Sequence, residues 1–307
     1  YSRARIGLDN GGGFGQDDPN YTSINRVFTL SGGSKLKLMN DKFEQITRLT
    51  FTDLDRANRN NVDPDHPFDS ELSHYRGKLF TLDSQNNFYL HRTNTLTAGL
   101  NMQHEWGSSD NRFAGSFFGF PYISQSEFST RSITNLAFYA QDHIQLWNRW
   151  FTTLGFRSDH NNRFGHYNTY RVASSYVLRE TGTTFKGSFG TGFKAPTVYQ
   201  LYSNYSGNTQ LNPETSLGWD VGMEQALLKN RVQLGATVFQ NQIKNMIQAY
   251  PPLYLYQNIS RARTQGIETY LTSQPFRNVQ IRASYTYTDT KNLSSAASGD
   301  AYSGDPL

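Results

Sequence analysis

Thirteen runs of alternating apolar and polar residues divide this chain. The cleanest is Val279–Thr288, where Val279, Ile281, Ala283, Tyr285 and Tyr287 alternate with Gln280, Arg282, Ser284, Thr286 and Thr288. Successive side chains of a strand point to opposite faces, so a period of two predicts a two-faced ribbon. In Leu96–Trp106 the apolar face carries Leu96, Ala98, Leu100, Met102 and Trp106, with His104 its one polar member. Thr97, Gly99, Asn101, Gln103 and Glu105 share the other face. In Phe185–Phe193 the residues Phe185, Gly187, Phe189, Thr191 and Phe193 face one way, and Lys186, Ser188, Gly190 and Gly192 the other. Pro196 has no N–H to donate and ends that ladder. A tyrosine-rich loop (Tyr199, Tyr202, Tyr205) then runs to Asn212-Pro213-Glu214, where alternation resumes.

The connections between runs alternate in length. Tight turns are expected at Met39–Lys42, His91–Asn94, Trp147–Arg149, Arg179–Gly182, Leu227–Asn230 and Pro275–Asn278. Between them lie longer polar stretches: Asp55–Ser73, Gly107–Thr130, Ser158–His166, Lys194–Pro213 and Asn245–Tyr256. Short turns on one side and long loops on the other are the habit of outer-membrane barrels, and neither a sandwich nor a propeller gives a reason for it. The runs reach about ten to fifteen residues, longer than the usual globular strand of about five or six. Lys186, Gln103, Glu105, Gln280 and Arg282 would be costly to bury in a dry core, whereas a wet or plug-filled lumen satisfies them. The fold class read from the pattern is all-β: an antiparallel transmembrane β-barrel, with residues 1–307 forming one part of it and the lipid bilayer outside.

Composition sharpens this reading. Hydrophobic residues are only 36% of the 307, and no run is long and apolar enough for a membrane-spanning helix. A barrel strand shows lipid every second residue, so low overall hydrophobicity fits. The 19 tyrosines, 21 phenylalanines and 4 tryptophans suit the aromatic girdles of such barrels. Without cysteine there is neither a disulfide framework nor a thiolate metal site. The net charge of +4 is spread along the chain without a basic block, so no nucleic-acid partner is expected. YSRARIGLDN begins in mid-pattern without an apolar leader segment, so the native start is expected upstream.

GTGFKAP, then QLY, then LNPETS, at this spacing, resembles the TonB-dependent outer-membrane receptors, as does QNISRARTQGIET downstream. The likeness spans the chain and is sharpest over Phe156–Thr288. Within the family, RSDHNNRFGHYNTYR, GTGFKAPTVYQLYSNYSGNTQLNPETS and SYTYTDTKN are most similar to the vitamin B12 (cobalamin) receptors. The resemblance implies a barrel of about 22 strands around an N-terminal plug, a place in the bacterial outer membrane, and import of a scarce small molecule with energy from TonB. The motif positions are Gly190, Gly192, Phe193, Lys194, Ala195, Pro196, Asn212, Pro213 and Glu214. The plug that meets TonB, about four strands before residue 1 and about five after Leu307, are expected to lie outside this chain. An iron–siderophore receptor shares these motifs and is the alternative within transport. A passive porin or an outer-membrane enzyme barrel is the alternative of another class, but no Ser/His/Asp or paired-acid constellation assembles, and no enzyme activity is expected.

Tyr199, Tyr202 and Tyr205 with Asn204 and Asn208 are candidate ligand contacts, because amphipathic rings suit a large, partly polar molecule; girdle or loop packing is the plain alternative. Asp9, Asp17 and Asp18 in one outer loop, and Asp63, Asp65 and Asp69 in another, offer hard oxygens for calcium. The resemblance implies such a site, although no EF-hand spacing is present and a solvated acidic loop is the plainer account. No cofactor is required. The seven histidines form no metal motif, and Val198–Asn212 holds none, which disfavours haem. His160 and His166 read as surface residues of one outer loop. Gly187, Gly190 and Gly192 have no helix behind them and make no phosphate loop; Gly190 and Gly192 are expected to admit the plug at close range.

Overall fold

The computed structural model describes residues 1–8, 18, 20–64, 67, 70–117, 120–250 and 254–293. In order they form β1 (Ser2–Gly7), β2 (Thr22–Leu38), β3 (Phe43–Asn60), β4 (Ser70–His91), β5 (Asn94–Phe117), β6 (Phe120–Leu146), β7 (Trp150–Asn161), β8 (Gly165–Leu178) and β9 (Thr183–Lys194). Then come a short helix α1 (Val198–Tyr202), β10 (Glu214–Leu227), β11 (Val232–Tyr250), β12 (Leu255–Phe276) and β13 (Val279–Asn292). The 13 strands make one sheet in sequence order, each antiparallel to its neighbour. The all-β expectation therefore stands, strand for strand.

The two faces divide as the alternation requires. Leu30, Leu100, Phe138, Val172, Phe189, Val221 and Ile281 are exposed on one face, where they meet acyl chains. This apolar surface stops at Phe28 on β2, Phe51 on β3, Phe80 on β4 and Met102 on β5; the next residues on the same face are Arg26, Asp53, Lys78 and His104. Lys78 pairs with Asp53 at 3.8 Å, and His74 Nε2 lies 2.7 Å from Asp55, so charge replaces grease beyond that edge. At the opposite end the hairpin turns carry left-handed residues, among them Met39 (φ 55°), Trp147 (φ 51°) and Leu228 (φ 52°). Tight hairpins need this conformation to match strand twist. These three side chains are among the most exposed apolar groups of the chain, which fits anchoring at the inner membrane interface.

The inward face is polar and largely pairs with itself. Asn101 Nδ2 donates to Asp83 (3.2 Å), Arg157 Nη2 to Asn101 Oδ1 (3.3 Å) and Asn135 Nδ2 to Asp159 (2.7 Å). Arg157 also grips Asp159 through Nε and Nη2 at 2.9 Å. Lys186 Nζ donates to Glu224 at 2.6 Å, and Ser188 Oγ to Asp220. Such groups, costly in a dry core, satisfy one another here.

The outer connections are shorter than the sequence predicts. Gly107–Thr130, expected as a loop, continues β5 and β6 as a twisted ribbon, with a bulge after Gly107 and pairing from Ser109↔Phe128 to Phe117↔Phe120. Asp55–Ser73, Ser158–His166 and Asn245–Tyr256 are likewise largely absorbed into β3/β4, β7/β8 and β11/β12. Outside the membrane both faces of a strand are polar, so the alternation fades while the backbone ladder continues. Phe193, expected on the lipid face, instead stacks on Tyr167 at 4.1 Å and lines an inner cavity with Arg157 and Asp159. The β8–β9 ladder ends at Arg171↔Gly190, where Tyr170 N donates to Thr191 Oγ1 instead, freeing the end of β9 to turn inward.

Candidate functional site

The segment between β9 and β10 folds into the interior rather than out into solvent. Pro196 stops β9, and the next residues carry a helix start. Thr197 is extended (φ −73°, ψ 160°) and accepts from Gln200 N, while Gln200 Oε1 accepts from Thr197 N at 3.0 Å. This capping box satisfies donors that a short helix cannot use internally. The sequence reading treats the segment as loop; Thr197-x-x-Gln200 is the signature that marks the helix.

The helix α1 presents Val198 and Leu201, each 1% exposed, to Phe128 and Ile133 of β6 and to Leu211. A Cβ on Gly107 of β5 would stand 3.0 Å from Val198 Cγ1, so a glycine there lets the helix lie against the wall. The Tyr199 ring meets Tyr75 of β4 (5.9 Å), Phe128 of β6 (6.3 Å) and Tyr256 of β12 (6.4 Å) between centroids. Strands distant in the sheet thus converge on one ring, which places the segment on the concave side.

Polar ties fix the rest. Tyr256 N donates to Ser206 O at 2.8 Å, Asn208 Nδ2 to Tyr256 O at 2.9 Å, and Asn204 Nδ2 to Glu127 O. Arg163, from the β7–β8 turn, donates to the Tyr202 hydroxyl (3.1 Å) and Thr209 O (2.8 Å). Asn258 acts as a strand substitute, donating to Asn212 O (2.9 Å) and accepting from Asn212 N (2.8 Å). At the root of the segment Lys194 Nζ and Glu214 Oε2 are 3.0 Å apart, and Ile247 N donates to Glu214 Oε1 at 2.7 Å.

Two cavities adjoin the segment. One, of about 490 Å³, is lined by Gln103, Asn135, Arg157, Asp159, Phe193 and Pro196 among others. The second, of about 450 Å³, includes Leu54, Arg56, Tyr75, Trp106, Phe128 and Tyr199. Glu105 lines both. It lies beyond the apolar edge at Met102, and burial holds its carboxyl above the usual range, partly offset by the Val198 N–H at 3.5 Å. Burial likewise raises the Tyr75 phenol.

Among the expected ligand contacts, Tyr199 and Tyr202 are half-buried in the packed segment, Asn204 and Asn208 are tied to backbone, and Tyr205 is exposed. Of the motif glycines, a Cβ on Gly192 would meet Ser216 Oγ at 2.5 Å, whereas Gly190 has only ordinary neighbours beyond Tyr170 O at 3.3 Å. Of the acidic positions, Asp9, Asp17, Asp65 and Asp69 lie outside the described residues. Asn20 bridges the other two, its N donating to Asp18 (3.1 Å) and its Nδ2 to Asp63 (2.6 Å). No cluster of three or more His, Asp or Glu suited to a metal occurs among the described residues. The sequence did not reveal Glu105, Arg131 or Arg163 as neighbours of α1. Arg131 and Arg163 both stand over the Tyr202 ring, at 5.3 and 5.4 Å from its centroid.

The sheet resembles several solved transport barrels. The copper transporter OprC superposes with a TM-score of 0.73 at 15% identity, over 92% of this chain and 48% of that one. The siderophore receptor PiuA from Acinetobacter baumannii gives 0.67 at 13%, over 91% and 48%. The ferric yersiniabactin uptake receptor FyuA from Yersinia pestis gives 0.65 at 15%, over 88% and 43%. At such identities the likeness is one of fold, and the chain spans about half the length of these structures or less. Residues 1–307 in full match the family described as TonB dependent receptor-like, beta-barrel, and the chain belongs to that family of bacterial outer-membrane transport barrels, which are not enzymes.

Proposed function

We propose that this chain is barrel wall and ligand gate of a TonB-energised receptor that imports a corrinoid such as cobalamin. One observation carries the gate: the motif residues meet in space. Lys194 and Glu214 pair at the root of a segment that folds to the concave side and lines two cavities, through Pro196 in one and through Val198 and Tyr199 in the other. The corrinoid assignment rests on the sequence likeness of RSDHNNRFGHYNTYR and GTGFKAPTVYQLYSNYSGNTQLNPETS to cobalamin receptors. Tyrosine and asparagine side chains beside the cavities suit a bulky molecule with amide edges. TonB and the plug that contacts it belong to the whole receptor, of which this chain is a part. Calcium is proposed to knit the acidic outer loops, because Asn20 already draws Asp18 and Asp63 together.

A second reading, an anionic ferric chelate, is favoured by Arg131 and Arg163. Neither has a carboxylate within ion-pair distance among the described residues, and both converge on Tyr202. Several fold neighbours are named as siderophore receptors. Uptake of radiolabelled cobalamin by cells making the whole receptor, with and without TonB, tests the proposal. Uptake that vanishes without TonB supports it, and uptake that persists removes the energised mechanism. Absence of cobalamin binding together with binding of a ferric chelate moves the assignment to the second reading.

A further inference from the structure

His160 of β7 and His166 of β8 are directly opposite in the antiparallel register, one rung below the β7–β8 turn. Both are exposed on the outward face. Their ring centroids lie 4.3 Å apart with planes at 38°. The other described histidines each have an oxygen partner: His74 has Asp55, and His91, His104 and His143 have Thr93, Thr134 and Thr153. Among the described residues His160 and His166 show no such partner, and their rings meet each other.

We propose that His160 and His166 form a binding site for a divalent transition-metal cation. Imidazole nitrogens hold such ions at about 2.0–2.1 Å, so one ion between two rings in van der Waals contact needs only small rotations of their side chains. The backbone beneath is set in advance. Asn161 Oδ1 accepts from Arg163 N (3.0 Å) and Phe164 N (3.2 Å), Asn162 N donates to Thr134 O (3.0 Å), and Gly165 takes φ +79° to close the turn. A rigid frame loses little freedom on binding. Two neighbouring guanidiniums are held by other groups: Arg163 donates to Tyr202 and Thr209, and Arg157 is paired with Asp159 on the inward face. Two nitrogen donors without carboxylate select copper, nickel or zinc over calcium or magnesium, and copper binds most tightly of these. Two protein donors leave further positions on the ion for water or for a donor from another molecule.

Calorimetric titration of the whole receptor in detergent micelles with Cu²⁺, followed by electron paramagnetic resonance, tests this. The wild-type chain is expected to bind one ion showing coupling to two nitrogens, undisturbed by excess Ca²⁺. His160→Gln and His166→Gln should each weaken binding by at least the roughly tenfold that loss of a mere outer partner of a ligand costs, and the double variant should lose no more than either single one, because a chelate needs both donors. His91→Gln, at the other end of the barrel, serves as control. Binding unchanged in the double variant overturns the proposal. So do losses that add between the single variants, since these would indicate two independent sites. Both positions are exposed, and the strand signal in circular dichroism verifies that each variant folds.

Discussion

The contact between α1 and the barrel wall is the most demanding test of the docked segment. Val198 is 1% exposed, so Val198→Ala removes two methyl-sized groups from a filled site and costs about 1.6 kcal/mol of transfer energy. Alanine's higher helix propensity returns at most about 0.5 kcal/mol. The net cost of about 1.1–1.6 kcal/mol should raise the population of the undocked segment roughly 6- to 15-fold. Gly107→Ala perturbs the same contact from the other side, because its Cβ would come to 3.0 Å from Val198 Cγ1 and 3.3 Å from Val198 Cβ. Overpacking of this kind costs about 1 kcal/mol. Combined, the added methyl occupies space that the valine vacated, so the double variant should be more stable than the sum of the single ones by about 0.5 kcal/mol or more. Hydrogen exchange at Ser203, Gly207 and Asn208 reads the equilibrium directly, since their amides donate within the segment to Tyr199, Ser203 and Gln200. Strictly additive effects, or protection at those amides unaltered by Val198→Ala, would refute the packing argument.

Glu105 makes the docked segment sensitive to pH. Burial raises its carboxyl in the docked form, so between the ordinary carboxylate range and the raised value the undocked form ionises more readily. Docking should therefore weaken as pH rises through that window and level off above it; exchange at Val198–Tyr202, corrected for intrinsic rates, should show the trend, and Glu105→Gln should flatten it. Arg157→Met leaves the nearly buried Asp159 carboxylate without its guanidinium, at a cost of about 2 kcal/mol. Urea unfolding in detergent should show a lowered midpoint, and an unchanged midpoint would mean that lumen water replaces the guanidinium fully.

How much was legible depended on whether the two faces of a strand differ. Val279–Thr288 was clear because its two sides meet unlike surroundings, and Val279, Ile281 and Tyr285 are indeed exposed rather than packed in a dry centre. Past the membrane the contrast disappears. Asn111 and Asp110 look alike as polar residues, so the pairing of Ser109 with Phe128 left no periodic trace. Helix α1 spans 5 residues, too few for a 3.6-residue repeat, and only its capping pair was visible. Glu105 and Val198 are 93 positions apart, and a contact that distant has no local signature. The motif GTGFKAP–NPE brackets the segment that folds inward, and its ends, Lys194 and Glu214, pair at the root.

Tyr199 joins parts of the wall that lie far apart along it. Its centroid contacts of 5.9 and 6.4 Å hold the rings of Tyr75 and Tyr256 within about 12 Å of one another, although their strands, β4 and β12, stand eight places apart in the sheet. Around the wall that separation is roughly 38 Å at the usual strand spacing. The three rings are therefore drawn together across the concave side of the sheet rather than along the wall. Any displacement of α1 would separate Tyr75 from Tyr256, so the docked segment couples two parts of the wall that share no backbone ladder.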